Sequence, residues 1–226
     1  MSKTKSIHAI EDEYEEKDLR THIYENSDTY AGSDEMIKCK VACMKGQDKD
    51  INISDIEYIP VIYKCFDEII VNARDQRERL KSKEGSIPVT EIRVNIDEGT
   101  GLISIYNNGD SIRVQKHSSG LYNPNLIFGR LLTSGNYKKN EKRIVGGKNG
   151  YGAKIVNIFS DSFDIDIGDR HTKTKYKQHF YENMKQLDEP IITKYNGKPY
   201  TRISWKIDFD RFGIKKLTKD MISLMK

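Results

Sequence analysis

Residues 146–154 read G-G-K-N-G-Y-G-A-K, four glycines in nine residues, and lead into the apolar run I-V-N-I-F. Gly146 and Gly147 can take backbone angles closed to other residues, and without side chains they let a ligand approach the main chain. Tyr151, Ile155 and Ile158 fall three or four apart, which predicts a helix over about 151–159. A glycine-rich loop running into a helix start offers several N–H groups and a positive dipole end to an anion, most often phosphate. The pattern is not a P-loop, because Ala153 precedes Lys154 and Ile155 follows it. Nor is it a dinucleotide fingerprint, since no apolar strand feeds the loop. On this stretch alone a phosphate site and a plain surface loop with a helix cap stand level.

The rest of the chain bounds the choice. Its 226 residues make one large domain or two small ones, and 36% hydrophobic with 32% charged residues suits a soluble protein with a core. No apolar run approaches the ~20 residues that span a bilayer. The N-terminus, M-S-K-T-K-S-I-H-A-I-E-D-E, lacks the apolar centre of a signal peptide, so the expected setting is intracellular, with no membrane partner. Cys39, Cys43 and Cys65 have no zinc-type spacing and read as reduced thiols, with Cys65 in the core. A formal charge of +4 permits a nucleic-acid partner without arguing for one.

Residues 1–18 are polar and read as an arm in which Tyr14 is the one large aromatic; 19–226 read as the domain. Leu19, Ile23 and Tyr24 share a helical face, and 36–58 alternate like a hairpin around Ile51, Ile53 and Ile56. The clearest helix is 60–79, with Pro60 in its first turn. Ile62, Phe66, Ile69 and Ala73 form an apolar stripe; Glu68, Asn72 and Asp75 form a polar one at the same spacings. Solvent is the plain explanation of a polar stripe. Against it stands the composition, since a Glu, an Asn and an Asp in line can hold a metal or a water. Segments 90–97 and 102–106 alternate around a D-E-G-T-G turn, with Ile92, Val94 and Ile96 inward and Asn107, Asn108 and Gly109 at the far end. A short helix over 124–132 is expected to pack through Leu126, Ile127, Leu131 and Leu132, and 133–143 form a basic connector long enough to be a lid. Strand alternation follows around Ile165, Gln178 and Trp205. Lys173, Lys175 and Lys177 read as the wet face of a strand, and 217–226 open an amphipathic helix that the chain leaves unfinished.

A helix bearing Glu68 and Asn72, a strand end with Asn107, and a glycine-rich helix start suit nucleotide binding with attack by water. Glu68 is the candidate base for the water proton. Asn72, one turn on, can ligate Mg²⁺ through its amide oxygen and leave the ion's charge for phosphate oxygens. The loop glycines and Lys154 can hold the phosphates.

The segments F-D-E-I-I-V-N-A-R-D, I-Y-N-N-G, L-I-F-G-R-L-L-T-S-G-N-Y and G-G-K-N-G-Y-G-A-K-I-V-N-I-F-S, in this order, resemble the ATPase domain of eukaryotic-type topoisomerase II. That domain belongs to the gyrase, chaperone, histidine-kinase and MutL (GHKL) superfamily. The resemblance extends to the N-terminal Y-E-E-K-D-L-R-T-H-I-Y-E-N-S-D-T-Y-A-G-S and covers nearly the whole chain. It implies an α+β Bergerat fold, a two-layer sandwich whose mixed, mostly antiparallel sheet carries its helices on one face. It implies ATP and Mg²⁺ as cofactors, Glu68 as catalytic base and Asn72 as metal ligand. It places Asn107 at the adenosine side and Ser134, Gly135 and Asn136 in a nucleotide-binding segment. Gly147, Lys148, Asn149, Gly150, Tyr151, Gly152, Ala153 and Lys154 fall on the phosphate loop. Tyr14 falls on an arm residue that reaches the partner protomer's nucleotide. The implied activity is the N-gate of a type II DNA topoisomerase, which homodimerises on ATP binding while DNA is handled by the full-length enzyme, in the nucleus or, for a viral source, the cytoplasm. DNA-cleavage domains, and a lysine from the following domain that reaches the γ-phosphate, would lie beyond Lys226.

This chain departs from the family's pattern in places. Where the family runs N-N-G-x-G-I-P, residues 107–113 are N-N-G-D-S-I-R, so the loop after Asn107 is expected to differ in shape. The family's R-P-D-T-Y is N-S-D-T-Y here, and Gln76 stands where Asn is common. A stand-alone nucleotide-binding or dimerisation module, or another GHKL ATPase, is the alternative; the glycine loop and the T-S-x-N-Y segment disfavour the latter.

Overall fold

A computed structural model of the chain describes residues 17–44, 50–131 and 151–226. Asp18 opens the first helix, α1 (Leu19–Glu25), its Oδ1 accepting from the N–H groups of Arg20 and Thr21 at 3.0 and 3.2 Å. A single turn, α2 (Ser27–Tyr30), follows. Strands β1 (Ile37–Cys43) and β2 (Asn52–Tyr58) pair antiparallel as a separate two-stranded sheet. Only part of the expected alternation there is buried: Ile56 and Cys43 are inside, whereas Ile51 and Ile53 are 69% and 79% exposed. Helix α3 (Pro60–Lys81) buries Val61, Ile62, Cys65, Phe66, Ile69 and Ala73, the anticipated apolar stripe and its neighbours.

The main sheet comprises β3 (Ile92–Ile96), β4 (Leu102–Asn108), β5 (Ser160–Asp169), β6 (Thr174–Tyr181), β7 (Gln186–Leu187), β8 (Ile191–Lys194) and β9 (Tyr200–Ile207). Its order is β3-β4-β9-β5-β6-β7, with β8 also paired to β6. Every strand pair among the described residues is antiparallel, which narrows the expectation of a mixed sheet. Register explains the two faces. Ile105 lies opposite Ile203, Ile203 opposite Ile165, and Phe163 opposite Trp205, so one face is a continuous apolar layer. The alternate positions, Ser104, Tyr106, Arg202, Ser204, Asp164 and Asp166, form the other, polar face. Helices α3, α4 (Asn123–Gly129) and α5 (Gly152–Ile158) cover the apolar side, with α5 packed on α3, α4 and β5. The last helix, α6 (Lys219–Met225), packs on β1, β2 and α3, and its Asp220 accepts from the N–H of Glu57 at 3.0 Å. None of the helices among the described residues is long and apolar enough to cross a membrane.

Three packing expectations need correction. Val94 is 42% exposed although it lies opposite buried Ile105, because β3 is the edge strand of the sheet. Ile127 points out of α4 at 41% exposure, leaving Pro124, Asn125 and Phe128 as its buried side; Leu132 lies outside the described residues. The final helix starts at Lys219 rather than Leu217, because Thr218 accepts from the N–H of Met221 and caps it, while Leu217 is buried ahead of the cap. Cys39, Cys43 and Cys65 are free thiols, and burial pushes the Cys65 thiol far up.

Trp205 is the largest fully buried side chain, and its indole N–H has no partner among the described residues. Trp205→Ala is expected to cost about 3–5 kcal/mol in urea unfolding. Trp205→Phe should cost less than half of that. Both variants remove the donor, so the difference between them reads the volume that the phenyl ring keeps, and equal losses would disprove that packing account.

Candidate functional site

Helix α3 presents its polar residues at different depths. Glu68 is partly covered, at 23% side-chain exposure, and Asn72, one turn on, is exposed. Asp75, expected to continue the same open stripe, is buried at 4% exposure and so belongs to the interior. Lys64, one turn before Glu68, places its Nζ 2.6 Å from Glu68 Oε1 and 3.2 Å from Asp67 Oδ2. Burial works against this ammonium, yet the two carboxylates hold its pKa above the ordinary lysine value.

The start of α5 meets Glu68 directly. A Cβ at position 152 would meet Glu68 Oε2, so the backbone of Gly152 and the carboxylate lie directly against one another. Tyr151 precedes the helix, its carbonyl accepting from the N–H of Ile155 at 2.8 Å and its ring edge-on to Tyr30. Ala153 and Lys154 are buried, at 8% and 3% exposure, and burial pulls the Lys154 amine down to about 8. Asn157 donates to the carbonyl of Phe128 at 3.1 Å and ties α5 to α4.

Asn107, at the end of β4, is buried at 5% exposure and donates to the carbonyl of Asn108. Gly109 has φ +87°, and a Cβ there would lie 2.8 Å from the Pro88 backbone. Asp110 is buried; burial alone would raise its pKa, but Arg170 and the N–H of Ile87 hold it below the usual carboxylate range. Ser111 donates to the carbonyl of Gly168 at 2.9 Å.

Of the expected site residues, Glu68, Asn72, Gly152, Ala153 and Lys154 therefore lie on two helices in contact, Tyr151 just before the second of them, and Asn107 at the end of β4. Tyr14, Ser134, Gly135, Asn136, Gly147, Lys148, Asn149 and Gly150 lie outside the described residues. Comparison with known proteins follows this geometry. Over 235 residues the chain is 41% identical to DNA topoisomerase 2 of Acanthamoeba polyphaga mimivirus, and over 218 residues 40% identical to human DNA topoisomerase 2-alpha. The crystal structure of the ATPase region of Saccharomyces cerevisiae topoisomerase II superposes with a TM-score of 0.89 at 36% identity, covering 95% of this chain. The chain corresponds to the ATPase region of DNA topoisomerase 2 proteins. It has the GHKL fold, as expected from the sequence. Thermus thermophilus gyrase B, at 19% identity and a TM-score of 0.61 over 90% of the chain, shares the fold. No family model matches the chain. It spans 18% of the mimivirus protein, 14% of the human one and 56% of the yeast ATPase-region chain.

Reading the sequence as a topoisomerase 2 relative did not identify Lys64, Asp110 or Arg170. Lys64 had a legible signal, an i,i+4 spacing from Glu68. Asp110 and Arg170 are 60 residues apart and had none beyond Asp110's place in the altered loop.

Two expectations follow. Gly152→Ala should push the flexible Glu68 carboxylate aside and cost no more than about 1 kcal/mol. Glu68→Ala should relieve most of that in the double variant, and a double-mutant cycle with additive losses would disprove the contact. For Lys154 the folded pKa is about 8 against 10.5 as the ordinary value, so between these the unfolded chain binds the extra proton. Stability should therefore rise with pH from about 8 towards 10.5. In Lys154→Met, urea midpoints measured across that range should lose this rise.

Proposed function

We propose that this chain is the ATP-binding and hydrolysing N-gate portion of a type II DNA topoisomerase. The observation that carries the reading is the Glu68 carboxylate lying against the Gly152 backbone, with Asn72 one helical turn away. Glu68 is the general base: its carboxylate takes a proton from the attacking water as the oxygen bonds to the γ-phosphorus and the bond to the β–γ bridging oxygen breaks. Lys64, 2.6 Å from the other carboxylate oxygen, fixes the orientation of that base. The phosphates are held by Gly147, Lys148, Asn149, Gly150, Tyr151, Gly152, Ala153 and Lys154, with Ser134, Gly135 and Asn136 in the adjoining nucleotide segment and Asn107 on the adenosine side.

The donor chemistry fits Mg²⁺. Among the described residues no group of three or more His, Cys, Asp or Glu side chains could hold a metal by itself. Mg²⁺ bound with a nucleotide needs few protein ligands, because phosphate oxygens and waters supply the others. Exposed Asn72 offers one neutral oxygen. When bound, the ion supplies positive charge to the phosphate oxygens as negative charge develops on them.

On this reading the domain comprises residues 19–226, and residues 1–18 form an arm that crosses to a second protomer, carrying Tyr14 to the partner's nucleotide. ATP binding closes the dimer around a DNA segment. Strand passage belongs to the full-length enzyme. The homology to DNA topoisomerase 2 proteins supports each of these steps.

Glu68→Gln is expected to keep nucleotide binding and lose about a hundredfold or more in ATP hydrolysis, measured as phosphate release in the full-length enzyme. Asn72→Ala should instead weaken binding of Mg·ATP itself. Undiminished turnover in Glu68→Gln would remove Glu68 from the mechanism.

A further inference from the structure

The segment carrying Asn107 is tied to three separate parts of the fold, and the ties converge on Asp110. Arg170, just past the end of β5, places Nε 2.5 Å from Asp110 Oδ1 and Nη2 3.0 Å from Oδ2, while the same Nη2 donates to the carbonyl of Gly85 at 2.8 Å. The N–H of Ile87 donates to Asp110 Oδ2 at 3.2 Å, and the N–H of Asp110 donates back to the Ile87 carbonyl. From α3, Gln76 Nε2 donates to the Asp110 carbonyl at 2.8 Å. Ser111 adds its bond to Gly168. The same loop is stitched on its near side, where Asn108 Oδ1 accepts from the N–H groups of Thr90 and Glu91 at 2.9 Å each.

This arrangement costs too much to be incidental. A carboxylate at 4% exposure is stable only with its charge matched and its oxygens bonded. Its partners also come from chosen places. Gln76 lies one helical turn beyond Asn72 on α3, and Asp110 lies three residues beyond Asn107 in the loop leaving β4. The network thus fixes the strand end that carries Asn107 against the helix that carries Glu68 and Asn72. Two halves of one binding site that come from different elements need such a tie if they are to engage one ligand together.

We propose that Asp110 and Arg170, with Gln76, are positioning residues for the adenosine half of the nucleotide: they set Asn107 relative to α3 without touching the ligand. The inference rests on the nucleotide reading of the site given above. It predicts a selective effect, since the phosphates are held from the side of α5, which the network does not reach.

The test compares ADP with inorganic tripolyphosphate, each competing against a fluorescent adenine nucleotide on the whole chain. Arg170→Ala is expected to raise the Kd for ADP about tenfold and to leave that for tripolyphosphate within about twofold, a loss of preorganisation on one side of the site. Arg170→Lys should recover part of the ADP affinity. Because Arg170→Ala leaves a buried carboxylate without its cation and could fail to fold, Asp110→Asn and Ser111→Gly provide the milder test. Each should weaken ADP about threefold with tripolyphosphate unchanged. Equal weakening of both ligands would reduce the network to general stability and overturn the proposal, as would unchanged ADP binding in all variants. Wild-type chain that binds neither the adenine nucleotide nor tripolyphosphate would instead reject the nucleotide site itself.

Discussion

The Glu68 carboxylate lies against the backbone of Gly152, where a Cβ would clash with it, and the arrangement of the proposed site depends on that contact. It requires α3 and α5 to approach until side chain meets backbone. The sheet makes this possible by offering both helices one flat apolar face, with Ile105, Ile203, Ile165 and Phe163 in register across β4, β9 and β5. It also creates an electrostatic difficulty. A carboxylate beside the end of the glycine stretch repels the phosphates that this stretch is proposed to hold. The Lys64 ammonium at 2.6 Å offsets that charge, so the proposed base stands beside the phosphate stretch without presenting a bare negative charge to it.

The polar face of the sheet explains why the helices stay on one side. Asp166 accepts from the Tyr200 hydroxyl at 2.7 Å and lies 3.6 Å from Lys175, while Arg202 stacks over Tyr106 and Tyr200. Lys206 reaches Asp161 at 2.9 Å. Half-exposed pairs of this kind add little stability each. They do make the face costly to bury, because covering it would desolvate every charge at once. Lys175 and Lys177, read from the sequence as a wet strand face, are accordingly part of what limits the fold to two layers, whereas Lys173, read with them, lies in the turn before β6.

What could be read in the sequence follows from the range of each interaction. The apolar stripe of α3 and the alternation of β4, β5 and β9 repeat within a few residues, so they were legible. Val94 and Ile127 were read as inward from their apolar character; Val94 is exposed on an edge strand and Ile127 on the outer side of α4, and neither placement is encoded in a local pattern. Asp75 shows the same limit in reverse. It shares a spacing with Glu68 and Asn72, yet it is buried while Asn72 is exposed, since spacing fixes a direction around the helix and not a depth. Gly152 was legible as part of a glycine motif but for a general reason, ligand approach; its specific reason is a side chain on another helix. Gln76, Asp110 and Arg170 are joined only by the folded chain, and their one trace in the sequence was that two of them fall at or within altered stretches of a recognisable pattern.

Those alterations are better understood together than singly. A glycine at position 111 would leave the loop after Asn107 conformationally loose, and glycine loses the most entropy on ordering. Serine there gives up that freedom and adds a bond to Gly168, which restricts the loop further. A loop restricted in this way must be held in a useful place, and a buried carboxylate bonded from three directions does that. The substitution at 111 and the charge at 110 therefore support one another: the serine narrows the conformations the loop can take, and Asp110 selects among them. A chain carrying one without the other would be left either with a loose loop pulled by a buried charge or with a stiff loop that nothing positions. That mutual dependence links the departure at 111 to its neighbour at 110, a position where the pattern itself leaves the residue open.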